Sequence, residues 1–567
     1  MHTTGIRNLR RLRQRRVVAF VLAAAVAAAP VAALELAELL AAPFPSDLVA
    51  SPAGDRIAWV FNRTGTRGIW TAASPEWEGE ELVAGGGDDG QEIGDLAWSA
   101  DGASLAFVRG GAPNAAGELP NPLSVATGVT RAVFVVDLES GEERRVDDGS
   151  SPLFRGDGAL LYLKDGDLWV ADGDGGAGER LLSVRGRLGQ LELSPDDSLV
   201  AFVSDRGTHS FVGVYDFAAG NVEWVDPGLD RDAYPSWSPG GARLAFVRQA
   251  PRLDAILFEP QRETDLPWSI RVATLGSDGS WAGTEAWRAE AGPGSVYRPV
   301  VGNRQLFWLG DDNIAFPWEK TGWNHLWRLS FSSGEAVPQA QGEAEVEYAF
   351  QEEPGGEVLF SSNALDVHRR HIWRLKGAAA GVSHLTRGQG IEQAAVPLAG
   401  EDFAFLASDA RRPLHVQISV GGERREVVPS AIAGFPVTEL VEPRIVTITA
   451  EDGLEVPAQL FEPKGASTAP RPALLYLHGG SRRQMLPAWH YSAYYHNCYA
   501  LHQFMVSKGY VVLSLNYRSG IGYGLDFREA EAFGATGASE LRDVLAAGRY
   551  LASYPDVDPE RVGIWGG

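Results

Sequence analysis

The chain has 567 residues and a net charge of −23, from 50 Lys and Arg against 73 Asp and Glu. This length exceeds that of one ordinary domain. The acidic balance argues against a nucleic-acid-binding protein, because such proteins present a basic face. The one cysteine, Cys498, excludes an intrachain disulfide and a zinc site built from cysteines. Hydrophobic residues make up 45% of the chain, which excludes wholesale disorder.

Residues 1–33 have the pattern of a secretory signal peptide. Residues 1–16 contain six arginines and no acidic residue, and residues 17–33 form an uncharged, alanine-rich run that ends in small residues. A membrane anchor is the alternative, but the run is shorter than the ~20 residues that a spanning helix needs, and it contains Pro30. We therefore expect export to the periplasm or the extracellular space, with cleavage and no stable membrane association afterwards.

From residue 45 to about 435 the sequence repeats a short turn, rich in Ser, Pro, Asp and Gly, that precedes an apolar strand. Such a turn reverses the chain between two antiparallel strands. Small sheets of this kind bury both faces by packing radially against one another. The period predicts an all-β propeller of eight blades, with a β-sandwich or a linear solenoid as alternatives. The copies begin mostly 42–54 residues apart, at Ser51, Trp98, Ser151, Leu193, Trp237, Leu309, Glu353 and Leu398. The longer gap after Trp237 indicates an insertion at 253–268.

After about residue 440 the pattern changes to alternating strands and helices. This alternation predicts an α/β doubly wound sheet over residues 440–567. The predicted elements are a strand pair within 444–463, buried strands at 473–477, 511–515 and 562–565, helices at 499–508 and 539–551, and one helical turn begun by Asp558-Pro559. The second helix is amphipathic, and its predicted buried face consists of Leu541, Val544, Leu545, Gly548 and Leu551.

Two glycine motifs follow the predicted buried strands. His478-Gly479-Gly480 comes after the first, where glycines let backbone N–H groups turn toward a developing oxyanion, although an ordinary glycine turn is the alternative. Gly566-Gly567 comes after the third, in the way that a strand enters the nucleophile elbow G-x-S-x-G. The serine of such an elbow would directly follow Gly567.

Four stretches resemble the prolyl oligopeptidase family of serine peptidases: HGGS (478–481), NYRSGIGYG (516–524), ATGASELRDV (535–544) and DPERVGIWGG (558–567). Two further stretches, 318–329 and 361–375, resemble propeller blades of the dipeptidyl-peptidase IV-like and acylaminoacyl-peptidase-like branches. The resemblance implies an N-terminal propeller over a C-terminal α/β-hydrolase domain, with a Ser-Asp-His triad at their interface.

On this resemblance, Gly479 and Gly480 form the oxyanion loop and Gly566 and Gly567 form the entry to the elbow. The chain order of such triads is Ser, Asp, His, so all three residues would lie beyond Gly567. Residues 440–567 would then be the N-terminal half of a C-terminally truncated catalytic domain. No catalytic residue would be present, and the chain itself is expected to be inactive.

Other candidate residues surround these motifs. His478, Tyr517 and Arg518 are possible pocket residues, and substrate contact and bracing of the elbow are equally plausible roles for Arg518. We expect no cofactor and no metal, because the spacing of the conceivable ligands His490, His496, Cys498 and His502 matches no zinc pattern. Some branches of the family bind a substrate's amino terminus with paired glutamates, but solvent-exposed turns are the better interpretation of Glu80-Glu81, Glu142-Glu143 and Glu352-Glu353.

The sequence thus predicts a serine-type peptidase that hydrolyses short peptides through an acyl-enzyme, with a propeller that restricts access. Short peptides are the expected partners, and nucleic acids are not. One alternative is a non-catalytic propeller that binds a partner and carries a hydrolase remnant. The other is an α/β-hydrolase esterase with an appended propeller.

Overall fold

The computed structural model describes residues 34–173, 176–251, 261–276, 279–340, 342–378, 381–428, 434–534 and 538–567. The predicted signal peptide and the first half of the predicted insertion at 253–268 lie outside these ranges. No helix within these ranges is long and apolar enough to cross a membrane. The described chain begins with a short helix, α1 (Leu36–Leu40).

The next strands form eight successive antiparallel groups of four strands, which we number as units 1 to 8. A single parallel pairing, Ser210 with Arg231, joins units 4 and 5 into one eight-stranded sheet. Unit 1 is β1 (Phe44–Ala50), β2 (Arg56–Arg63), β3 (Thr66–Ala73) and β4 (Gly79–Val83). Unit 2 is β5 (Ile93–Trp98), β6 (Ser104–Arg109), β7 (Ala132–Asp137) and β8 (Glu143–Asp148). Unit 3 is β9 (Ser150–Phe154), β10 (Leu160–Lys164), β11 (Asp167–Ala171) and β12 (Glu179–Leu182). Unit 4 is β13 (Arg187–Leu193), β14 (Leu199–Asp205), β15 (Ser210–Asp216) and β16 (Asn221–Val225).

The second half continues in the same way. Unit 5 is β17 (Arg231–Trp237), β18 (Arg243–Gln249), β19 (Ser269–Leu275) and β20 (Trp281–Arg288). A short strand, β21 (Val301–Gly302), then joins unit 7 at its edge. Unit 6 is β22 (Phe307–Trp308), β23 (Asn313–Trp318), β24 (His325–Ser330) and β25 (Ala336–Pro338). Unit 7 is β26 (Val346–Phe350), β27 (Val358–Ser362), β28 (His371–Leu375) and β29 (Val382–His384). Unit 8 is β30 (Ile391–Pro397), β31 (Phe403–Ser408), β32 (His415–Val420) and β33 (Glu423–Glu426).

A serine hydroxyl shapes several of the repeated turns between the first and second strands. Ser51 Oγ donates to Asp55 at 2.9 Å and accepts the N–H of Arg56 at 3.1 Å. Equivalent bonds join Ser99 to Asp101 and Ser104, and Ser194 to Asp196 and Leu199. These side-chain bonds compete with regular pairing and so end one strand and start the next. The Ser and Asp of the sequence repeat therefore have a direct mechanical role.

The eight units close into a ring. A buried hydrophobic cluster lies between each pair of successive units. The last cluster packs Leu48 and Trp59 of unit 1 against Leu406 and Val416 of unit 8. Each sheet therefore buries both faces against its neighbours, as radial packing requires. The predicted all-β propeller is confirmed.

The second domain is a mixed sheet with helices. Its elements are β34 (Arg444–Thr449), β35 (Glu455–Phe461), β36 (Arg471–Leu477), α2 (Ala493–Ser507), β37 (Val511–Leu515), α3 (Leu525–Arg528), α4 (Glu540–Ala552) and β38 (Val557–Gly566). The strand order is β34-β35-β37-β36-β38. The strands β37, β36 and β38 run parallel, as the predicted alternation of strands and helices requires.

Three local predictions in this domain are wrong. Helix α2 begins at Ala493, six residues before the predicted start, because its aromatic first turn packs into the core. Asp558 and Pro559 do not start a helical turn but lie in β38, whose pairing with β36 already begins at Val557. That strand is not buried on both faces, since it lies at the sheet edge and Ile564 is 60% exposed.

The predicted buried face of α4 is also partly wrong. Leu551 is buried and Val544 packs against the core, but Leu541 and Leu545 are half exposed. The reason is Asp543, which is fully buried and hydrogen-bonded to the Arg518 guanidinium. This ion pair turns a polar position of the helix inward.

The propeller contacts the α/β domain mainly through loops between the second and third strands of units 5 to 8. In unit 8, for example, Ser408 Oγ donates to the Trp489 carbonyl at 2.6 Å, and Tyr499 Oη donates to that of Ala410 at 2.8 Å. Helix α1, which precedes the propeller in the chain, also packs on the α/β domain, where Leu39 joins a cluster that includes Val506. The two domains therefore share a continuous buried interface.

Candidate active site

The two glycine motifs meet at one edge of the sheet. Strands β36 and β38 are adjacent and parallel, so the residues after them lie side by side. A Cβ added to Gly479 would lie 2.2 Å from the carbonyl oxygen of Gly567, and one added to Gly566 would lie 2.2 Å from that of Leu477. Backbone therefore approaches backbone too closely for any side chain at these positions.

Gly480 faces open space beside this contact. Its φ is +68°, a conformation that glycine adopts without strain, and a Cβ there would meet nothing within 4 Å. Among the described residues, none accepts a hydrogen bond from the Gly480 N–H. A free N–H beside the end of β38 is what an oxyanion-binding loop requires.

Two tyrosines of the first turn of α2 complete the edge, and the sequence pattern did not single them out. Tyr495 Oη donates to the carbonyl of Gly479 at 2.9 Å. Tyr494 is 52% exposed, and its hydroxyl lies 2.6 Å from where a Cβ of Gly567 would be. The available signal was the position of this aromatic stretch, at the start of a helix that follows the HGG motif.

Of the three predicted pocket residues, Arg518 is a brace. Its guanidinium binds Asp452 at 2.6 and 2.9 Å and Asp543 at 2.6 Å. Its side chain is only 5% exposed. These pairs raise the pKa of Arg518 further above its already high value, although burial alone would lower it. The arginine therefore fastens the end of β37 to α4 and to the turn between β34 and β35.

His478 and Tyr517 lie beneath the loop. Their rings stack at 4.3 Å, and Tyr517 Oη donates to the His478 carbonyl at 2.5 Å. His478 is 2% exposed, and burial lowers its pKa to about 4, so the imidazole is neutral at ordinary pH. The stacked pair packs against the buried side of the glycine loop, and Gly480 lies on its solvent-exposed side.

The conceivable metal ligands do not assemble. No group of three or more His, Cys, Asp or Glu in the described ranges is placed to hold a metal ion. His490 Nε2 donates to the Gln484 carbonyl at 3.2 Å, and its Nδ1 accepts the N–H of Ser492 at 2.9 Å. Burial lowers the pKa of His490 and of His502 to about 3. The histidines are packing groups of the domain.

The paired glutamates are not gathered at the site. Glu81 lies in β4 and pairs with Arg63, and Glu142 pairs with Arg144, both on the propeller surface. Glu352 and Glu353 are exposed in the turn after β26. These positions agree with the interpretation of the paired glutamates as surface residues of the propeller.

Different glutamates of the propeller reach the α/β domain. Glu345, which is 9% exposed, accepts the N–H groups of Gly522 and Gly524 at 3.0 Å each. Asn363 Nδ2 donates to the Gly522 carbonyl at 2.9 Å. The loop after β37 is thus held by unit 7, and burial raises the pKa of Glu345. Glu345 directly precedes β26 and Glu347 lies within it, and this i, i+2 spacing is the pattern by which they could have been found.

A second set of buried charges lies near Glu345, at the same interface between the two domains. Arg528 makes two bonds to Glu319, at 2.5 and 2.7 Å. Glu529 accepts two bonds from Arg482 at 2.9 Å and one from Arg298 at 2.8 Å. Burial alone would raise the pKa of Glu529, but the Gln261 N–H and the arginines around it hold it below its usual value. Because Arg482 follows the glycine loop directly, this network fixes the loop to the propeller.

Comparison with known proteins identifies the second domain. Residues 497–567 match the model of the prolyl oligopeptidase family. The C-terminal part of the α/β domain is therefore similar to that family. The uncharacterized peptidase YuxL of Bacillus subtilis is 28% identical over 177 residues, 30% of this chain and 25% of the relative. The acylamino-acid-releasing enzyme 1 of Oryza sativa is 29% identical over 116 residues, 20% of this chain and 14% of the relative. The matched parts thus span a quarter or less of these relatives.

Solved structures share the fold of the whole chain. Dipeptidyl peptidase 4 of Porphyromonas gingivalis superposes with a TM-score of 0.65 at 15% identity, over 92% of this chain and 78% of that one. A puromycin-hydrolyzing peptidase of Mycobacterium tuberculosis superposes with a TM-score of 0.62 at 16% identity, over 95% and 75%. The family resemblance and the propeller with an α/β-hydrolase domain are confirmed.

Proposed function

We propose that this protein is a serine peptidase of the prolyl oligopeptidase family that hydrolyses short peptides through an acyl-enzyme. The observation that carries the proposal is the N–H of Gly480, which has no acceptor among the described residues and lies in a loop that packs against the end of β38. A donor placed there stabilises the oxyanion of a tetrahedral intermediate, and one such donor is worth about 10²–10³ in kcat.

The nucleophile of the full-length protein is proposed to be a serine directly after Gly567. The amide of the residue after this serine supplies the second oxyanion donor, and an aspartate and a histidine further along the chain complete the triad. Serine attack forms the C–O bond of the acyl-enzyme as the scissile C–N bond breaks and the histidine protonates the leaving amine. Water then hydrolyses the ester.

The propeller is proposed to restrict access, and the interface supports this role. Units 5 to 8 cover the α/β domain, and Glu345 holds the loop after β37 from the propeller side. A long polypeptide would have to displace this cover, whereas a short peptide would not. The signal-like residues 1–33 support the further proposal that the enzyme acts outside the cytoplasm.

The 567-residue chain itself is predicted to be inactive. We expect a fluorophosphonate probe to label the full-length gene product stoichiometrically and to leave the 567-residue chain unlabelled, because the probe reacts with an activated serine. A full-length variant with alanine after Gly567 is the matched control and should not be labelled.

Stoichiometric labelling of the shorter chain would refute the assignment of the nucleophile. Hydrolysis of peptide anilides by the full-length protein supports the peptidase. Hydrolysis of short esters alone would favour an esterase, and no hydrolysis of either would favour a binding protein.

A further inference from the structure

We infer that Tyr495 is a positioning residue for the oxyanion loop, and this inference rests on the proposed peptidase function. Tyr495 Oη donates to the carbonyl of Gly479 at 2.9 Å. In a trans peptide the C=O of one residue and the N–H of the next point in opposite directions. Holding the Gly479 carbonyl toward α2 therefore directs the Gly480 N–H away from α2.

The loop needs such a tether because glycine does not orient it. Gly480 has a φ of +68° and a Cβ there would meet nothing within 4 Å, so neither sterics nor packing opposes rotation of the Gly479–Gly480 peptide. Two groups surround Gly479: the carbonyl oxygen of Gly567 and the hydroxyl of Tyr495, 2.2 and 3.8 Å from where a Cβ of Gly479 would be. The Gly479 carbonyl also lies 3.5 Å from His478 Nδ1, but the tyrosine bond is 0.6 Å shorter and is the stronger of the two constraints on the peptide plane.

The tyrosine hydroxyl is itself held in place. Tyr495 is 7% exposed and packs in a cluster with Tyr476, Met485 and Cys498. Its ring meets that of Tyr494 edge-on at 5.1 Å and that of His490 at 5.3 Å. The residue lies in the first turn of the 15-residue helix α2, so its backbone is part of a regular element. A donor carried on a packed helix orients its acceptor better than a donor on a loop.

The test is Tyr495→Phe in the full-length protein, assayed on a peptide anilide. Removing only the hydroxyl leaves the Gly479 carbonyl with its long contact to His478 Nδ1 alone, and it opens no large cavity. We expect kcat to fall by about 10- to 100-fold, less than the loss of the whole donor, with KM changed by less than about twofold. The affinity for a peptide aldehyde, which forms an oxyanion in the site, should fall with kcat, whereas the affinity for the product peptide should not change.

Tyr499→Phe is the matched control. Tyr499 lies one turn later on α2, and its hydroxyl also donates to a carbonyl, that of Ala410 at 2.8 Å, but at the propeller interface. This variant should keep the kcat of the wild type. Thermal melting of both variants reports any general loss of structure.

The outcomes separate the inference from the function on which it rests. An active wild type with a Tyr495→Phe variant of unchanged kcat would overturn the role of Tyr495 and leave the peptidase in place. Equal losses of kcat and melting temperature in both variants would also overturn it, because they would show a purely structural effect. A wild type that hydrolyses no peptide would overturn the proposed function, and the inference with it.

Discussion

His502 is a buried polar residue that lowers the stability of this protein in acid. The ring is 3% exposed and lies among Tyr476, Phe461 and Trp565, with centroids 4.7, 5.2 and 5.6 Å away. Neither ring nitrogen has a hydrogen-bond partner within the described ranges. An unpaired buried polar group of this kind costs about 1–3 kcal/mol, so His502 destabilises the fold that contains it.

We predict that His502→Phe stabilises the protein, and more so in acid. Burial lowers the pKa of His502 to about 3 in the folded protein, against about 6.5 in the unfolded chain. Between these values the unfolded chain binds the extra proton, so stability falls by about 1.4 kcal/mol for each pH unit below 6.5. The variant should gain about 1 kcal/mol at pH 7 and about 2 kcal/mol more at pH 5, measured by urea denaturation.

His325→Phe serves as the control. His325 Nε2 donates to the Gly342 carbonyl at 3.1 Å, so phenylalanine there removes a hydrogen bond as well as a polar ring. It should lower stability at pH 7 by about 1 kcal/mol. A His502→Phe variant whose stability advantage does not grow between pH 7 and pH 5 would contradict the assigned pKa.

At the scale of single residues, the sequence predicts the functional glycines better than it predicts which groups a side chain hydrogen-bonds. Gly479 and Gly566 could be found because close backbone approach requires glycine, and Gly480 because its φ of +68° favours glycine. Tyr495 could not, because its role depends on which carbonyl a helix brings within 2.9 Å. The same holds for Glu345, whose partners are backbone groups 177 and 179 residues away along the chain.

Among the elements, α4 is a helix whose position is set by an ion pair. Its apolar spacing predicted an inward face with Leu541 and Leu545, but the buried pair of Asp543 with Arg518 turns these leucines toward solvent. A hydrophobic pattern predicts that a segment is helical. It does not predict which face of the helix is buried when a buried ion pair competes with the apolar side chains for the inward position. The strands of the propeller were predicted more reliably, because the same Ser and Asp turn recurs and each copy supports the others.

We predict that Gly548→Ala stabilises the α/β domain by about 0.5–1 kcal/mol, the helix-propensity difference between the two residues. Gly548 lies within α4 (540–552), and a Cβ there would meet nothing within 4 Å. The gain in helix propensity therefore comes without a clash. The midpoint of urea denaturation should rise while its slope stays unchanged.

The contrasting substitution is Gly509→Ala, just after α2. Gly509 has a φ of +93°, which alanine adopts only at a cost of about 1 kcal/mol or more. This variant should unfold at lower urea. If both substitutions shifted the midpoint in the same direction, backbone conformation would not be what distinguishes these two glycines.

For the whole molecule, the interface between the domains is the part that the sequence least revealed. The stretch 318–329 was noticed for its family resemblance, but nothing in it showed that Glu319 meets Arg528 across the interface. Buried charges of opposite sign attract strongly only when each is paired and fully hydrogen-bonded. Such pairing depends on how the propeller closes and where the second domain sits, which no local pattern encodes.

We predict that Arg528→Met uncouples the two domains. The substitution leaves Glu319, whose side chain is 2% exposed, without its two bonds from Arg528, and removes one cation beside Glu529. Losing one partner of a buried pair costs about 3–5 kcal/mol. We expect calorimetry to resolve two unfolding transitions, with the one assigned to the α/β domain moved to lower temperature.

Arg145→Met, at an exposed pair with Asp148 on unit 2, is the control and should change stability by less than about 1 kcal/mol. A single unshifted transition in Arg528→Met would show that the other interface contacts hold the domains together without this ion pair.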